Sequence, residues 1–343
     1  MNRISLFLTG LFFCHLSIAQ WEWQNPLPQG NVLNDVFFND ENTGWAVGNC
    51  GTILKSTNGG ENWILLGPPT KWSLTSVQFT DSLTGYTSSN EGKIFKTVDG
   101  GNEWTVSFQN YGYNRNLKDL FFVSPDTGWA VNRAGEIFLT VNAGMSWDTC
   151  QQGGAYCSNK IFFIDNQKGW IASGDPFGEF AFYGKILKTN DGGITWNTVY
   201  SNDSVAVTSI HFTDSLNGWA TGCSYYWFGD NLGILLHTDD GGNTWTEIYY
   251  DQFNRFSDIW FCNCDTGWLT CGFSSGAIRK TTNGGYSWTD QTSYDLWPVS
   301  GIFGLNQDVL KTVGSSGHVM ITGTGGEEWI EVTHGTRSSF YDI

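Results

Sequence analysis

STNGGENW (56–63) decides the fold, because six variants of it follow along the chain: TVDGGNEW (97–104), TVNAGMSW (140–147), TNDGGITW (189–196), TDDGGNTW (238–245), TTNGGYSW (281–288) and TGTGGEEW (322–329). Each ends in Trp, and successive Trp residues (63, 104, 147, 196, 245, 288, 329) lie 41, 43, 49, 49, 43 and 41 residues apart. A period of ~40–50 residues is the length of a four-stranded propeller blade.

Other signals keep phase with this box. About 20 residues upstream lies a Gly-aromatic step, as in Gly44-Trp45, Gly85-Tyr86, Gly128-Trp129, Gly169-Trp170, Gly218-Trp219 and Gly267-Trp268. An apolar strand such as Leu33-Asn34-Asp35-Val36-Phe37-Phe38 precedes the step, and another such as Gly51-Thr52-Ile53-Leu54-Lys55 precedes the box. Each unit therefore reads as strand A (VFF-like), strand B (GWA-like), strand C (GxILK-like), the box, and strand D starting at the Trp. The units span about 32–67, 73–108, 116–150, 158–200, 206–250, 256–290 and 299–332. One sheet cannot bury both its faces, so the units must stack, and closing the ring removes most exposed edges. The expected fold is all-β: a seven-bladed β-propeller of four-stranded antiparallel blades, forming a single domain over 20–343.

The box has a structural task. Its central Gly supplies positive φ for a tight C–D turn. The Asn or Asp at its third position (Asn58, Asp99, Asn142, Asp191, Asp240, Asn283) accepts backbone N–H bonds, and its Trp packs between neighbouring blades. A residue recurring around a disc is a structural device, and carboxylates so far apart cannot form an acid–base pair. Unit seven departs, with Thr324 at the Asn/Asp position and no Gly-Trp step. Near the N-terminus, Trp21-Glu22-Trp23-Gln24 reads like a strand D and is expected to join the last blade as a latch, either displacing Trp329-Ile330-Glu331-Val332 or lying outside it.

Composition narrows the function classes. The 343 residues include 18 Trp, 43 Gly and only 7 Pro, which suits many short strands joined by tight turns. Formal net charge is −16, with no basic run, so nucleic acid is not an expected partner. Residues 1–19 read as a secretory signal: Arg3, an apolar stretch from Ile4 to Leu16, then Ser17-Ile18-Ala19, with cleavage expected after Ala19. No later apolar run is long enough to span a bilayer, so the expectation is a secreted or periplasmic protein without membrane insertion, and a monomer.

Seven Cys follow the signal. Export permits disulfides, and Cys150 and Cys157, flanking a short Gly-rich loop, are the first candidates for a pair. Cys223, Cys262, Cys264 and Cys271 could supply another, leaving Cys50 free. No CxxC pair with a matching His cluster appears, so neither a metal nor any other cofactor is expected. His211, His237, His318 and His334 are scattered among units, and no P-loop, dinucleotide fingerprint, HExxH or GxSxG motif occurs.

Antiparallel strands sort their turns onto two rims: A–B turns and boxes on one, B–C turns and D–A connections on the other. Units four and five carry longer B–C segments, 173–183 and 223–231, rich in aromatics: Phe177, Phe180 and Tyr183, then Tyr225, Tyr226, Trp227 and Phe228. D–A connections add Tyr111, Tyr113 and Arg115, then Tyr156, then Tyr250, Phe253 and Arg255, then Tyr294 and Trp297. Long loops on a rigid scaffold commonly carry binding, and Tyr, Trp and Arg are enriched in hot spots. Of these, the seven aromatics of the two B–C segments together with Tyr113, Arg115, Tyr250 and Arg255 are the expected partner-binding set, for a protein client or a glycan. The alternative is that they fold over one another and cover the ring mouth.

The boxes match the Asp-box (BNR) pattern S/T-x-D/N-x-G-x-x-W. The full unit, with its VxF, TGWAVG and GxIxKTxDGGxxW stretches, most resembles the photosystem II stability and assembly factor family over about residues 30–332. That resemblance implies a seven-bladed propeller that binds a protein client without catalysis. Its photosynthetic members are associated with an Arg-containing patch, whereas only Arg115, Arg133, Arg255, Arg279 and Arg337 follow the signal here. The box also occurs in sialidases and xyloglucanases, so the rival reading is a carbohydrate-binding propeller or glycoside hydrolase. The Arg cluster and FRIP-like stretch of sialidases are missing. A hydrolase would have to draw its paired carboxylates from Asp175, Glu179 and Asp230.

Overall fold

A computed structural model describes residues 29–112, 114–150, 157–175, 183–225, 231–272, 276–292 and 298–333. Seven four-stranded antiparallel sheets follow one another in chain order, as the repeat demanded. In the first, Leu33–Phe38 pairs with Gly44–Gly48, which pairs with Ile53–Ser56, which pairs with the short outer strand Ile64–Leu65. Each A strand lies against the A strands of both neighbouring blades, so these strands surround the axis, and the first also packs on the seventh to close the ring.

The closing interface is apolar. Leu33, Val36, Phe38 and Trp63 of blade one share a core with Val313, Val319 and Ile321 of blade seven. Blade seven supplies its own fourth strand, Ile330–Thr333, paired to Val319–Thr322. Residues 21–24, expected as a latch, lie outside the described residues, as does the signal segment.

The Gly-aromatic step explains itself in the packing. In the first unit, a Cβ on Gly44 would sit 2.5 Å from the ring of Phe38 on the paired strand A, so only glycine lets that ring lie flat on the backbone. The Trp that follows is fully buried, stacking on the corresponding Phe of the next blade: Trp129 on Phe163 at 3.6 Å, Trp170 on Phe212 at 3.7 Å, Trp219 on Phe261 at 3.8 Å. The box Trp of that next blade meets the same Phe edge-on, as Trp196 does Phe163.

Blade seven breaks this pattern in both directions. Gly304 stands where a Phe would, because a Cβ there would lie 2.6 Å from the Trp260 ring. Lys311 stands where the Trp would, its ammonium 5.4 Å from the centre of the Phe38 ring.

The boxes do what the sequence required. In the first, Gly59 and Gly60 have φ of +72° and +90°. The third-position side chain accepts the N–H four residues on: Asn58 from Asn62 at 3.0 Å, Asp99 from Glu103 at 3.0 Å, Asp191 from Thr195 at 2.9 Å, Asp240 from Thr244 at 3.0 Å. Asn142 and Asn283 do the same for Ser146 and Ser287. Thr324 performs the same task with its hydroxyl, accepting from Glu328 at 3.0 Å, so unit seven departs in sequence without departing in geometry.

Candidate functional site

The rims divide as the antiparallel order requires. On one, A–B turns touch boxes, as where Gly59 N–H bonds Asn42 O. On the other, B–C turns touch D–A connections, as where Asn49 N–H bonds Val32 O. Among the described residues six large aromatics are exposed, and five of them (Trp72, Tyr111, Tyr183, Tyr250, Phe253) belong to this second rim; Tyr286 alone sits on a box. Phe253 and Tyr111 are the most exposed, at 79% and 81%.

The expected partner-binding set fares unevenly. Tyr183, Tyr250 and Arg115 are exposed on the second rim. Arg255 is not: it is 4% exposed, held within the wall near Cys223 and not on the rim. Tyr113, Phe177, Phe180, Tyr226, Trp227 and Phe228 lie outside the described residues, and of Tyr225 only the backbone is described. That backbone corrects the reading of unit five. Its long B–C segment continues two strands, Gly218–Tyr225 and Asn231–Thr238, with Tyr225 paired to Asn231. Tyr111 and Phe253, which the sequence places in D–A connections, are exposed there, and sequence reasoning passed over only Trp72, which lies in another such connection.

The buried cysteines and the candidate carboxylate Asp175 are accounted for by burial and by a partner, respectively. Cys150 and Cys157 are free thiols here, as are Cys50, Cys223, Cys262, Cys264 and Cys271, so the expected pairing is not seen. Burial pushes the thiols of Cys223 and Cys271 up to about 12, which keeps them protonated. Asp175, a candidate hydrolytic carboxylate, is held by Arg133 at 2.9 Å, while Glu179 and Asp230 lie outside the described residues. The box carboxylate of Asp99 is held below the usual range by the Glu103 N–H, which suits a turn clasp better than a proton donor.

The axis holds a second constellation that sequence reasoning missed. All seven A strands carry a register shift after their first residue, so the second and third residues no longer alternate simply. The second residue reaches the next blade: Asn34 Nδ2 donates to Leu74 O at 2.7 Å, Asn159 Nδ2 to Val207 O at 2.8 Å, Ser257 Oγ to Val299 O at 2.7 Å. The third does likewise from its carboxylate: Asp35 accepts from Val77 N–H at 2.8 Å, Asp119 from Ile161 N–H at 2.9 Å, Asp258 from Ile302 N–H at 3.0 Å. These bonds satisfy backbone groups on the inner edge of the A strands of blades two, four, five and seven, which no further strand can cover.

Lys160 occupies the third position in blade four, in the field of all three carboxylates. Burial opposes its charge, yet Asp119, Asp35 and Asp258 outweigh that cost and hold it above the ordinary lysine range. Burial raises Asp119 and lifts Asp35 to about 6, with Lys160 only partly offsetting it. Above this layer, toward the A–B turns, the fifth residues form an aromatic collar of Phe37, Phe121, Phe162, Trp260 and Phe303, completed by Gln78 and His211. His211 donates from Nε2 to Phe261 O at 2.9 Å, and burial lowers its pKa to about 4, so the ring is neutral near pH 7. Between collar and charged layer is a cavity of about 190 Å³.

With fold, rims and axis in view, comparison with known proteins is informative. Residues 14–106 match the family described as photosynthesis system II assembly factor YCF48. The chain is an Asp-box propeller similar to that family over this first part. Solved structures agree in fold. The chain is similar to "YCF48 bound to D1 peptide" at 17% identity, TM-score 0.68, covering 90% of this chain and 98% of that one. It is similar to YCF48 from Cyanidioschyzon merolae at 18% identity, TM-score 0.63, covering 88% and 98%. The GH74 enzyme of Niastella koreensis shares the architecture at 13% identity, TM-score 0.55, covering 87% of this chain and 65% of that one. Among curated proteins no significant match is found.

Proposed function

We propose that this assembly-factor-like propeller is an exported, non-catalytic scaffold that holds a protein partner on the rim built from its D–A connections and B–C turns. The observation that carries this reading is the gathering of Trp72, Tyr111, Tyr183, Tyr250 and Phe253 on one rim of a ring whose blades are otherwise locked together. Exposed aromatics presented by a rigid frame bind with little loss of side-chain entropy. A similarly built propeller, YCF48, is known bound to a D1 peptide, which supports a peptide-like ligand class. The Asp175–Arg133 ion pair and the turn-bound box carboxylates favour binding over hydrolysis.

The test is capture by the immobilised mature protein beside a triple variant, Trp72→Ala, Tyr111→Ala, Phe253→Ala. The variant is expected to lose a specific protein partner while keeping its melting temperature, since the three side chains are largely in water. Capture unchanged in the variant would refute the reading. Capture of oligosaccharides that the same variant abolishes would move the rim to the glycan class.

A further inference from the structure

The axial cavity is amphipathic along its length, and that shape has a guest. Its wall on the Asp-box side is the collar of Phe37, Phe121, Phe162, Trp260 and Phe303. Its floor carries three carboxylates, Asp35, Asp119 and Asp258, against one ammonium. The carboxylates are fixed in place by the backbone N–H groups they accept. What the floor lacks is positive charge. The only salt bridge of Lys160 among the described residues is with Asp119 at 3.9 Å, beyond hydrogen-bond reach.

An apolar stem ending in a compact cation fits this arrangement: the stem lies along aromatic faces, and the cation reaches the floor. Beside the collar is an open shelf lined by Trp260, Asn263, Leu305, Asn306 and Gln307, with room for a peptide main chain. We infer that the axial cavity receives a lysine side chain of a partner protein, inserted from the Asp-box face. The site is independent of the rim reading, since it uses none of the rim aromatics.

The experiment is calorimetric titration of the mature protein with Ac-Gly-Gly-Lys-Gly-Gly-NH2, with the same peptide carrying norleucine or arginine, and with n-butylammonium. The lysine peptide is expected to bind one-to-one and saturably. The norleucine peptide, which keeps the stem and removes the charge, is expected to bind at least about tenfold more weakly, because a cation facing three carboxylates against one ammonium in a low-dielectric cavity carries most of the attraction. Lys160→Met, which removes the resident cation, is expected to bind the lysine peptide about tenfold more tightly. Should that variant fail to fold, the lysine–norleucine comparison on the unaltered protein decides alone. Equal binding of the norleucine peptide, no binding of any peptide, or no gain in a folded Lys160→Met protein would overturn the inference. So would n-butylammonium binding as tightly as the lysine peptide, which would assign the cavity to free amines, or preference for arginine.

Discussion

The indole of Trp45 lies flat on the ring of Phe79 from the next blade, 3.5 Å between centroids and 9° between planes, and its Nε1 donates to Gly100 O in that blade's box at 3.0 Å. One side chain thus ties strand B of one sheet to both strand A and the C–D turn of its neighbour. Trp129 and Trp219 repeat the arrangement with Gly192 and Gly284, and Tyr86 does so through its hydroxyl to Ala143 O. Stability is therefore expected to reside in the seams between blades.

Trp45→Ala is expected to cost about 3–5 kcal/mol, the range for truncating a large buried aromatic. Lys311→Ala, at the equivalent position in blade seven, is expected to cost less than about half of that, because it removes no ring stack and relieves a desolvated charge. Chemical denaturation of both variants checks the contrast. Equal losses would mean that the seventh seam is built like the others.

The third box residue clasps a turn. Asp99→Asn is expected to change stability by less than about 0.5 kcal/mol, since Asn58, Asn142 and Asn283 make the same bond in their own boxes. Thr97→Val should cost more, about 1–2 kcal/mol, because the Thr97 hydroxyl accepts the buried Gly101 N–H at 3.0 Å and nothing replaces it. Thermal melts of the two variants suffice to rank them.

The carboxylates at the axis should govern local exchange. Asp35→Ala is expected to speed amide exchange at Val77 at least about tenfold while leaving Ile161 and Ile302, held by Asp119 and Asp258, unaltered. Native-state hydrogen exchange resolved by residue reads this directly. A uniform change at all three amides would point to general loosening.

Two axial groups act on acid stability with opposite signs. Asp35 has its folded pKa raised to about 6, so between about 4 and 6 the native state binds the extra proton, and stability from this group falls as pH rises. His211 has its folded pKa lowered to about 4, so the unfolded state binds the extra proton from about 6.5 down to 4, and stability from this group is lost as pH falls. Asp35→Asn should therefore steepen the loss of stability on acidification from pH 6 to 4, and His211→Gln should flatten it. Melting curves across that window, compared with the unaltered protein, are the measurement.

How much of this was legible beforehand follows from what repeats. The box, the Gly-Trp step and the A-strand Phe recur at fixed spacing, so blade count, strand order and the sorting of turns could be read from them. The axial layer could not. The bulge in each A strand puts Asn34 and Asp35, or Asn159 and Lys160, both to work at the inner edge, where simple alternation would send one of them into the sheet. Lys160 among three Asp also looks like scatter until the ring brings residues 35, 119, 160 and 258 to one level. Arg255 was misplaced for the opposite reason: its position in a D–A connection is right, but its side chain turns inward.

The proposed function rests on sidedness, and crosslinking from defined positions tests that most directly. With a photo-reactive phenylalanine replacing Phe253 or Tyr111 on the loop rim, or Tyr286 on a box, irradiation in the native host should give a discrete protein adduct from the first two and none from the third. Adducts from position 286 alone, or from none of the three, would contradict a partner-binding rim at the D–A connections.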